Sequence, residues 1–264
     1  MFKKNNKETY EPVKALIGEG TDYNVYYPKI GEKILWYILG MAAVTAAVQI
    51  FYDRIFISLG IGVVAGFFLI PLFVKRKIEK RKFRLNGQFK SLLETLSTSI
   101  GAGKNVYDSF NGAINDLTVQ YTEDADIVDE VKLICQGLNH NFAVEDLLIN
   151  FADRSGMDDV RSFANVFATC YSKGGNIKEV IRNTAGIIKD KIEISMEIET
   201  MVAGRKNEQN IMLVMPVAFI LLLRGMGGDL IDLESPIGII SVTVALVFFV
   251  VAYFVGKKIL DIKI

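Results

Sequence analysis

The chain has 264 residues and a formal net charge of zero, and 51% of its residues are hydrophobic. A mean hydropathy of +0.30 favours a protein that is part membrane-embedded and part soluble over one or two ordinary soluble domains. Because positive and negative charges balance, no overall field attracts nucleic acid or an anionic substrate, and no nucleic-acid partner is expected.

The first 33 residues are polar and precede the first long apolar run. A cleavable signal peptide carries its apolar region soon after a short basic start, so this run is predicted to be a retained span. Tyr10, Tyr23, Tyr26 and Tyr27 make the N-terminal segment rich in tyrosine. Two interpretations of this cytoplasmic lead-in stay open: an interfacial segment with tyrosines at the level of the lipid headgroups, or a loosely ordered tail.

Two apolar segments follow, at residues 34–52 and 55–74, and only two residues separate them. Each is about as long as the ~20 residues that cross a hydrocarbon core, so residues 34–74 are predicted to form an antiparallel transmembrane hairpin. Gly62 and Gly66 make a G-x-x-x-G pattern in the second segment. This pattern predicts a close-packing face in the membrane and a possible site of self-association.

A basic segment comes directly after this hairpin, with seven basic residues and one acidic residue between positions 75 and 84. Basic flanks of transmembrane segments are retained in the cytoplasm, so the chain after the hairpin is predicted to be cytoplasmic. A nucleic-acid-binding patch is the alternative, but the position beside a span favours a role in topology.

Residues 75–209 show helical periodicity and almost no strand signal. Glycine-containing turns and capping residues divide this region into six predicted helices. They are a helix over 78–100, one that begins at Asn105, one that follows Glu123, Asp124 and Asp126, one over 143–154, one that begins at Asp158, and one that begins at Asn176.

Three of these helix starts share a short pattern. At Asn105 and Asn176 a capping residue precedes an apolar residue, a nearby acidic residue and a further apolar residue, and the start at Ala143 fits apart from the cap. Each start follows a turn that contains glycine. The repetition predicts three stacked αα-hairpins around one core.

The last predicted helix of this region keeps apolar residues at three- and four-residue spacing, with no proline before Pro216. It is predicted to continue as a rigid rod into a third span at about 208–226. A fourth span is predicted at 237–255, so residues 210–256 form a second transmembrane hairpin, and residues 257–264 form a tail. The basic flanks place both termini and the central region in the cytoplasm.

No constellation of catalytic residues is evident. The single histidine, His140, lies in a predicted turn and is interpreted as a surface or capping residue. Cys135 and Cys170 have no metal-ligand spacing and are predicted to be reduced thiols in the core. The acidic residues before the third predicted helix are interpreted as a solvated helix start, with a cation or a basic partner as the alternative. No enzymatic activity, cofactor or metal is expected.

The order of these elements resembles the F-domain family, the inner-membrane platform proteins of type II secretion and type IV pilus machines. A single such domain with spans before and after it is most similar to the tight-adherence pilus branch. The residues that carry the resemblance are Leu92-Leu93-x-x-Leu96 through Gly101-x-Gly103 with Val106 and Phe110, and Gly174-Gly175-Asn176-Ile177 followed by Val180-Ile181.

The resemblance implies a non-enzymatic protein of the bacterial or archaeal cytoplasmic membrane. Such a platform is expected to couple a cytoplasmic secretion ATPase to pilin or pseudopilin subunits, and to associate with itself or with a second F-domain platform protein. A membrane signalling or scaffold protein with a cytoplasmic helical interaction domain is the alternative. The candidate partner-contact residues are Gly174, Gly175, Asn176, Lys178, Glu179, Glu123, Asp124 and Asp126.

Overall fold

The computed structural model describes residues 12–52, 55–173 and 177–225, together with 240, 243–244, 247–248, 251–252 and 255–256. Every regular element with defined bounds in these ranges is an α-helix, which agrees with the all-α prediction. The helices are α1 (Ile30–Tyr52), α2 (Ile55–Gly101), α3 (Val106–Tyr121), α4 (Asp126–Asn139), α5 (Val144–Ser155), α6 (Asp158–Lys173) and α7 (Ile177–Gly225).

The chain divides into two compact units. One, the core unit, comprises Met1–Tyr27 and Arg76–Glu193, and the other, the apolar unit, comprises Pro28–Lys75 and Ile194–Ile264. Helices α2 and α7 each contribute residues to both units, because each continues without a break past the boundary.

In the apolar unit, α1 and the first half of α2 form the predicted antiparallel hairpin. Trp36 packs edge-to-face on Phe73 with ring centroids 4.4 Å apart, and at the other end the Ser58 hydroxyl donates to Gln49 Oε1 at 2.6 Å. The partners run in opposite order along the two helices, as an antiparallel pair requires. The two-residue turn at 53–54 lies outside the described residues.

By length and composition, two helical stretches in the described ranges are long and apolar enough to cross a membrane: Ile30–Ile50 in α1 and Ser58–Gly101 in α2. They correspond to the first two predicted spans. The predicted third span coincides with the apolar C-terminal end of α7, which is helical through Gly225. The predicted fourth span lies largely outside the described residues, although the described residues from 240 to 256 are helical.

The core unit is built on the apolar faces that the helical periodicity predicts. On α2 the predicted face of Phe89, Leu92, Leu93, Leu96 and Ile100 is buried. The fully buried Phe89 packs on the rings of Phe151 and Phe163, with centroids 6.2 and 5.9 Å apart. Burying aromatic rings of this size removes a large apolar area from water and is the main stabilising term of such a unit. The aliphatic positions of α4 and α7 are buried in the same way at Ile127, Val131, Ile134, Ala185, Ile188 and Ile192.

The predicted helix boundaries in this unit follow local rules. Asn105 caps α3, because its side-chain oxygen accepts a hydrogen bond from the Asp108 backbone N–H at 2.7 Å. Gly156 ends α5 in the left-handed conformation that glycine adopts without strain. The predicted start of the first helix at residue 78 was wrong. Helix α2 continues from the second predicted span through the basic segment, because this segment contains only helix-compatible residues and no glycine or proline.

The N-terminal strap, which we define as residues 12–27, is an irregular segment of the core unit. Tyr23 is 2% exposed within this unit, so this tyrosine is neither at headgroup level nor part of a loose tail, whereas Tyr27 is 75% exposed. The strap has no helical periodicity, and its backbone is fixed by hydrogen bonds to α5. The Tyr23 N–H donates to the Arg154 carbonyl at 2.9 Å, and Asn150 Nδ2 donates to the Lys14 carbonyl at 2.9 Å.

Candidate functional site

The three helix starts that share a sequence pattern meet at one groove in the core unit. This groove, of about 670 Å³, is lined by the first residues of α3 and α5 and by Lys178 in the first turn of α7. The turn before α3 reaches it through Gly103, whose φ of 89° is in the region that glycine favours. The complete lining is Ile100, Gly103, Lys104, Asn105, Val106, Tyr107, Leu138, Phe142, Ala143, Val144, Glu145, Tyr171 and Lys178.

The surface of this groove is mainly apolar and aromatic. Ile100 and Val144 are buried residues of the lining, at 7% and 3% exposure. Tyr107, Phe142 and Tyr171 remain 38%, 39% and 46% exposed along it. Large apolar side chains that stay exposed together around a concavity are typical of a site that another molecule covers.

The polar groups of the groove are charged. Lys104 and Lys178 are exposed lining residues, and neither has a carboxylate partner among the described residues. Glu145 is half-buried, and its Oε2 atom is buried without a hydrogen-bond partner in the part of the chain that the structure describes. A buried oxygen without a donor costs about 1–3 kcal/mol, so this atom favours an occupant that brings an N–H or O–H group.

A second polar cluster lies beneath the strap and is fully satisfied. Glu130 and Arg154 form a buried bidentate ion pair, with side chains 1% and 3% exposed. The Tyr23 hydroxyl donates to Glu130 Oε1 at 2.8 Å, and Arg154 Nη1 donates to the Thr21 carbonyl at 3.1 Å. Removing either charge would leave the other buried and unpaired, so this cluster holds the strap in place rather than offering a free binding site.

The surroundings of this cluster shift the pKa values of Tyr23 and Glu130. Burial raises the pKa of Tyr23, and the adjacent Glu130 carboxylate raises it further, so the phenol stays a hydrogen-bond donor. Burial also raises the pKa of Glu130, although the hydrogen bonds from Arg154 and Tyr23 act in the opposite direction. The Arg81 guanidinium lies over the Tyr23 ring at 4.6 Å from its centroid and adds a cation–π contact.

Asp126 was predicted as a partner-contact residue, and the structure corrects this. Its carboxylate is only 10% exposed and pairs with Arg81 at 2.5 Å and Arg84 at 2.9 Å. Burial acts to raise the pKa of Asp126, but the hydrogen bonds from the two arginines outweigh it and hold the pKa below its ordinary value. The neighbouring Glu123 and Asp124 are exposed, as a solvated helix start requires.

The other predicted contact residues fall in different places. Lys178 lines the groove, and Glu179 beside it is exposed. Gly174, Gly175 and Asn176 lie outside the described residues.

The predicted membrane-packing glycines, Gly62 and Gly66, face α1 within the hairpin. A Cβ atom on Gly62 would overlap Thr45 Oγ1, and one on Gly66 would come within 3.2 Å of the Tyr37 ring. These glycines therefore permit close packing of α1 on α2, and this face is already occupied by the chain itself.

The single histidine and the two cysteines differ in their exposure. His140 is exposed in the turn after α4, as its sequence context indicates. Cys135 is buried and free, and burial raises the pKa of its thiol to about 11. No group of three or more metal-binding side chains occurs in the described ranges.

The aromatic lining of the groove was not predicted from the sequence, whereas Lys178 was among the predicted contact residues. Tyr107, Phe142 and Tyr171 are isolated aromatic residues in three separate helices or turns, so no local spacing connects them. The repeated helix-start pattern was the available signal, because it identified the three chain segments that meet there.

No family model matches the chain, and comparisons with curated proteins and with solved structures likewise found no match.

Proposed function

We propose that the chain is a non-enzymatic platform protein of a bacterial or archaeal cytoplasmic membrane. In this proposal two N-terminal and two C-terminal spans flank a cytoplasmic six-helix F-type domain. The domain engages a cytoplasmic secretion ATPase, and the spans engage pilin or pseudopilin subunits. The resemblance of the sequence to F-domain proteins of the tight-adherence branch supplies these partners.

The observation that carries the proposal is the continuity of α7. This helix has 49 residues, roughly 70 Å at 1.5 Å per residue, and contributes to both compact units. Its N-terminal part carries the buried Ala185, Ile188 and Ile192, and its C-terminal part exposes apolar residues such as Ile211, Phe219 and Leu222. A single helix with these two kinds of surface is suited to transmit movement between a soluble domain and membrane spans.

An insertion in α7 tests this transmission. The core unit ends at Glu193, so we insert Gly-Gly after this residue and count assembled filaments in the native cells. Each glycine disfavours the helix by about 1 kcal/mol relative to alanine, so the insertion softens the rod. We expect filament assembly to be lost while the protein accumulates in the membrane at the normal level. An Ala-Ala insertion at the same place shifts the helix phase equally and isolates the effect of stiffness.

Unchanged filament assembly with the Gly-Gly insertion would refute transmission through α7. Loss with both insertions would show that helix phase matters, and loss with Gly-Gly alone would show that stiffness matters.

The partner class is tested by photocrosslinking in the same cells from Lys178 and Asp124, with identification by mass spectrometry. Both residues are exposed, and they lie on different helices or turns of the core unit. Recovery of a secretion ATPase or a pilin is the expected result. Recovery of a kinase would favour the alternative of a membrane signalling protein and would refute the platform.

A further inference from the structure

The groove at the three helix starts has an unbalanced charge that its neighbours lack. On the helices nearby, Lys90 pairs with Glu193, Lys189 with Glu94 and Lys191 with Asp159, at 2.7 to 2.9 Å. The two groove lysines, Lys104 and Lys178, are exposed and have no such partner among the described residues.

The start of α5 also lines the groove, and its first turn carries the carboxylates of Glu145 and Asp146. Ala143 makes no side-chain cap bond, so the first backbone N–H groups of α5 have no capping acceptor from that residue. Unsatisfied amides at a helix start carry a partial positive charge. Among the charged residues of the lining, the two lysines outnumber the one carboxylate, Glu145, and this excess favours an occupant that presents carboxylates.

The aromatic lining and Glu145 restrict the occupant further. A small anion such as phosphate would leave Tyr107, Phe142 and Tyr171 uncovered, and it would place negative charge near the unpaired Glu145 oxygen. A peptide satisfies all three features, because its side chains supply carboxylates and apolar groups while its backbone supplies N–H donors.

We propose that this groove is the docking site for an acidic, apolar peptide segment of a partner protein. Lys104 and Lys178 pair with carboxylates of the segment, the three aromatic rings contact its apolar side chains, and Glu145 accepts a backbone hydrogen bond. The assignment of this segment to the secretion machinery rests on the proposed function, whereas the chemistry of the groove does not.

The test is a selection on the full chain in nanodiscs of phosphatidylcholine. A random library of twelve-residue peptides is selected against the wild type, after depletion on the Lys104→Glu/Lys178→Glu variant. We expect the enriched peptides to combine an excess of Asp and Glu over Lys and Arg with Leu or aromatic residues. Enrichment of peptides without carboxylates, or no peptide that distinguishes the two proteins, would overturn the proposal.

Affinities measured by fluorescence anisotropy then test the contacts. The loss of two exposed ion pairs alone corresponds to an affinity about tenfold weaker, and the two glutamates also repel an acidic peptide, so we expect at least a tenfold loss in the double variant. The matched control is Lys132→Glu, because Lys132 does not line the groove, and we expect it to change the affinity less than twofold. A peptide with its acidic residues replaced by lysine should in turn prefer the double variant. Equal losses in the control, or displacement of the peptide by millimolar inorganic phosphate, would contradict a peptide site.

Failure of this proposal is distinguishable from failure of the platform function. Peptide binding uses the purified chain alone, and the α7 insertion after Glu193 does not alter the groove lining. If the selection yields no peptide specific for the wild type but the Gly-Gly insertion abolishes filaments, the docking proposal is refuted and the platform function is retained. If specific peptides are found but the insertion variant assembles normal filaments, the docking proposal is retained and the platform mechanism is refuted.

Discussion

Replacing Tyr23 with phenylalanine removes one hydroxyl group from the centre of the core unit and changes little else. The ring keeps its buried position and its contact with Arg81, whose guanidinium is 4.6 Å from the ring centroid. What is lost is the hydrogen bond from the hydroxyl to Glu130 Oε1 at 2.8 Å. Because this oxygen also accepts from Arg154 Nη1 at 2.6 Å, the variant leaves no orphaned acceptor.

The free energy lost with this hydrogen bond depends on the charge of its acceptor. A hydrogen bond to a charged group contributes about 1.5–3 kcal/mol, and the retained Arg154 bond places this case toward the lower part, at about 2 kcal/mol. This free energy holds the strap on α5. Lowering the docking free energy of the strap by about 2 kcal/mol raises its undocked population about 30-fold.

Hydrogen exchange of the full chain in nanodiscs measures this population directly. The Tyr23 amide donates to the Arg154 carbonyl at 2.9 Å, so it exchanges only when the strap opens. We expect the peptide that covers residues 21–27 to exchange about 30-fold faster in the Tyr23→Phe variant. The control is Tyr27→Phe, because Tyr27 is 75% exposed and its hydroxyl is not part of the buried cluster.

Exchange within threefold of the wild type in the Tyr23→Phe variant would refute this reasoning. It would mean that the buried hydroxyl contributes no more than an exposed one, and that the other hydrogen bonds of the strap hold it in place. Equal acceleration by both variants would instead assign the effect to the loss of tyrosine hydroxyls near the end of the strap in general.

Three further predictions use the full chain in micelles, with unfolding by SDS followed by circular dichroism. The Arg154→Ala variant leaves Glu130 buried without a counter-charge and should destabilise the protein by about 3–5 kcal/mol. The control variant Arg161→Ala breaks an exposed pair and should cost less than about 1 kcal/mol. Equal losses in the two variants would contradict the burial argument. Gly62→Val should destabilise the hairpin by about 1–3 kcal/mol because its side chain would overlap α1, while Gly60→Val, with open space around it, should not; a neutral Gly62→Val would refute close packing. Asp126 has a pKa below its ordinary value, so its stabilising contribution is complete above about pH 4 and is lost as the pH falls through its lower folded pKa. The Asp126→Asn variant should therefore lose less unfolding free energy than the wild type as the pH falls below about 4. An unchanged pH dependence would assign the acid destabilisation to other groups.

The apolar faces of the core unit could be predicted because they depend on local periodicity. Phe89, Leu92, Leu93 and Leu96 recur at helical spacing, and a helix with that face must bury it against its neighbours. The cap at Asn105 was predictable for the same reason, since the hydrogen bond it makes is to a residue three positions along the chain.

The sequence-based error at Asp126 has a different origin. An acidic residue at a helix start is usually solvated, and nothing in the local sequence distinguishes Asp126, in the first turn of α4, from Asp124 just before that helix. The arginines that bury it belong to α2 and lie more than forty positions earlier. Helix-start rules describe only neighbours along the chain, so they assigned both acidic residues to the surface.

By itself, the sequence determined the helices, their inward faces, the hairpin of α1 on α2 and the unbroken length of α7, because each of these depends on residues within a few turns of one another. Only the tertiary structure decided that Tyr23 closes over the Glu130–Arg154 pair, since 107 positions separate Tyr23 from Glu130. It also decided that the first residues of α3 and α5 and Lys178 of α7 line one charged, aromatic groove. The physical reason is that the hydrophobic pattern specifies which face is buried, whereas the packing of separate helices specifies which side chains meet.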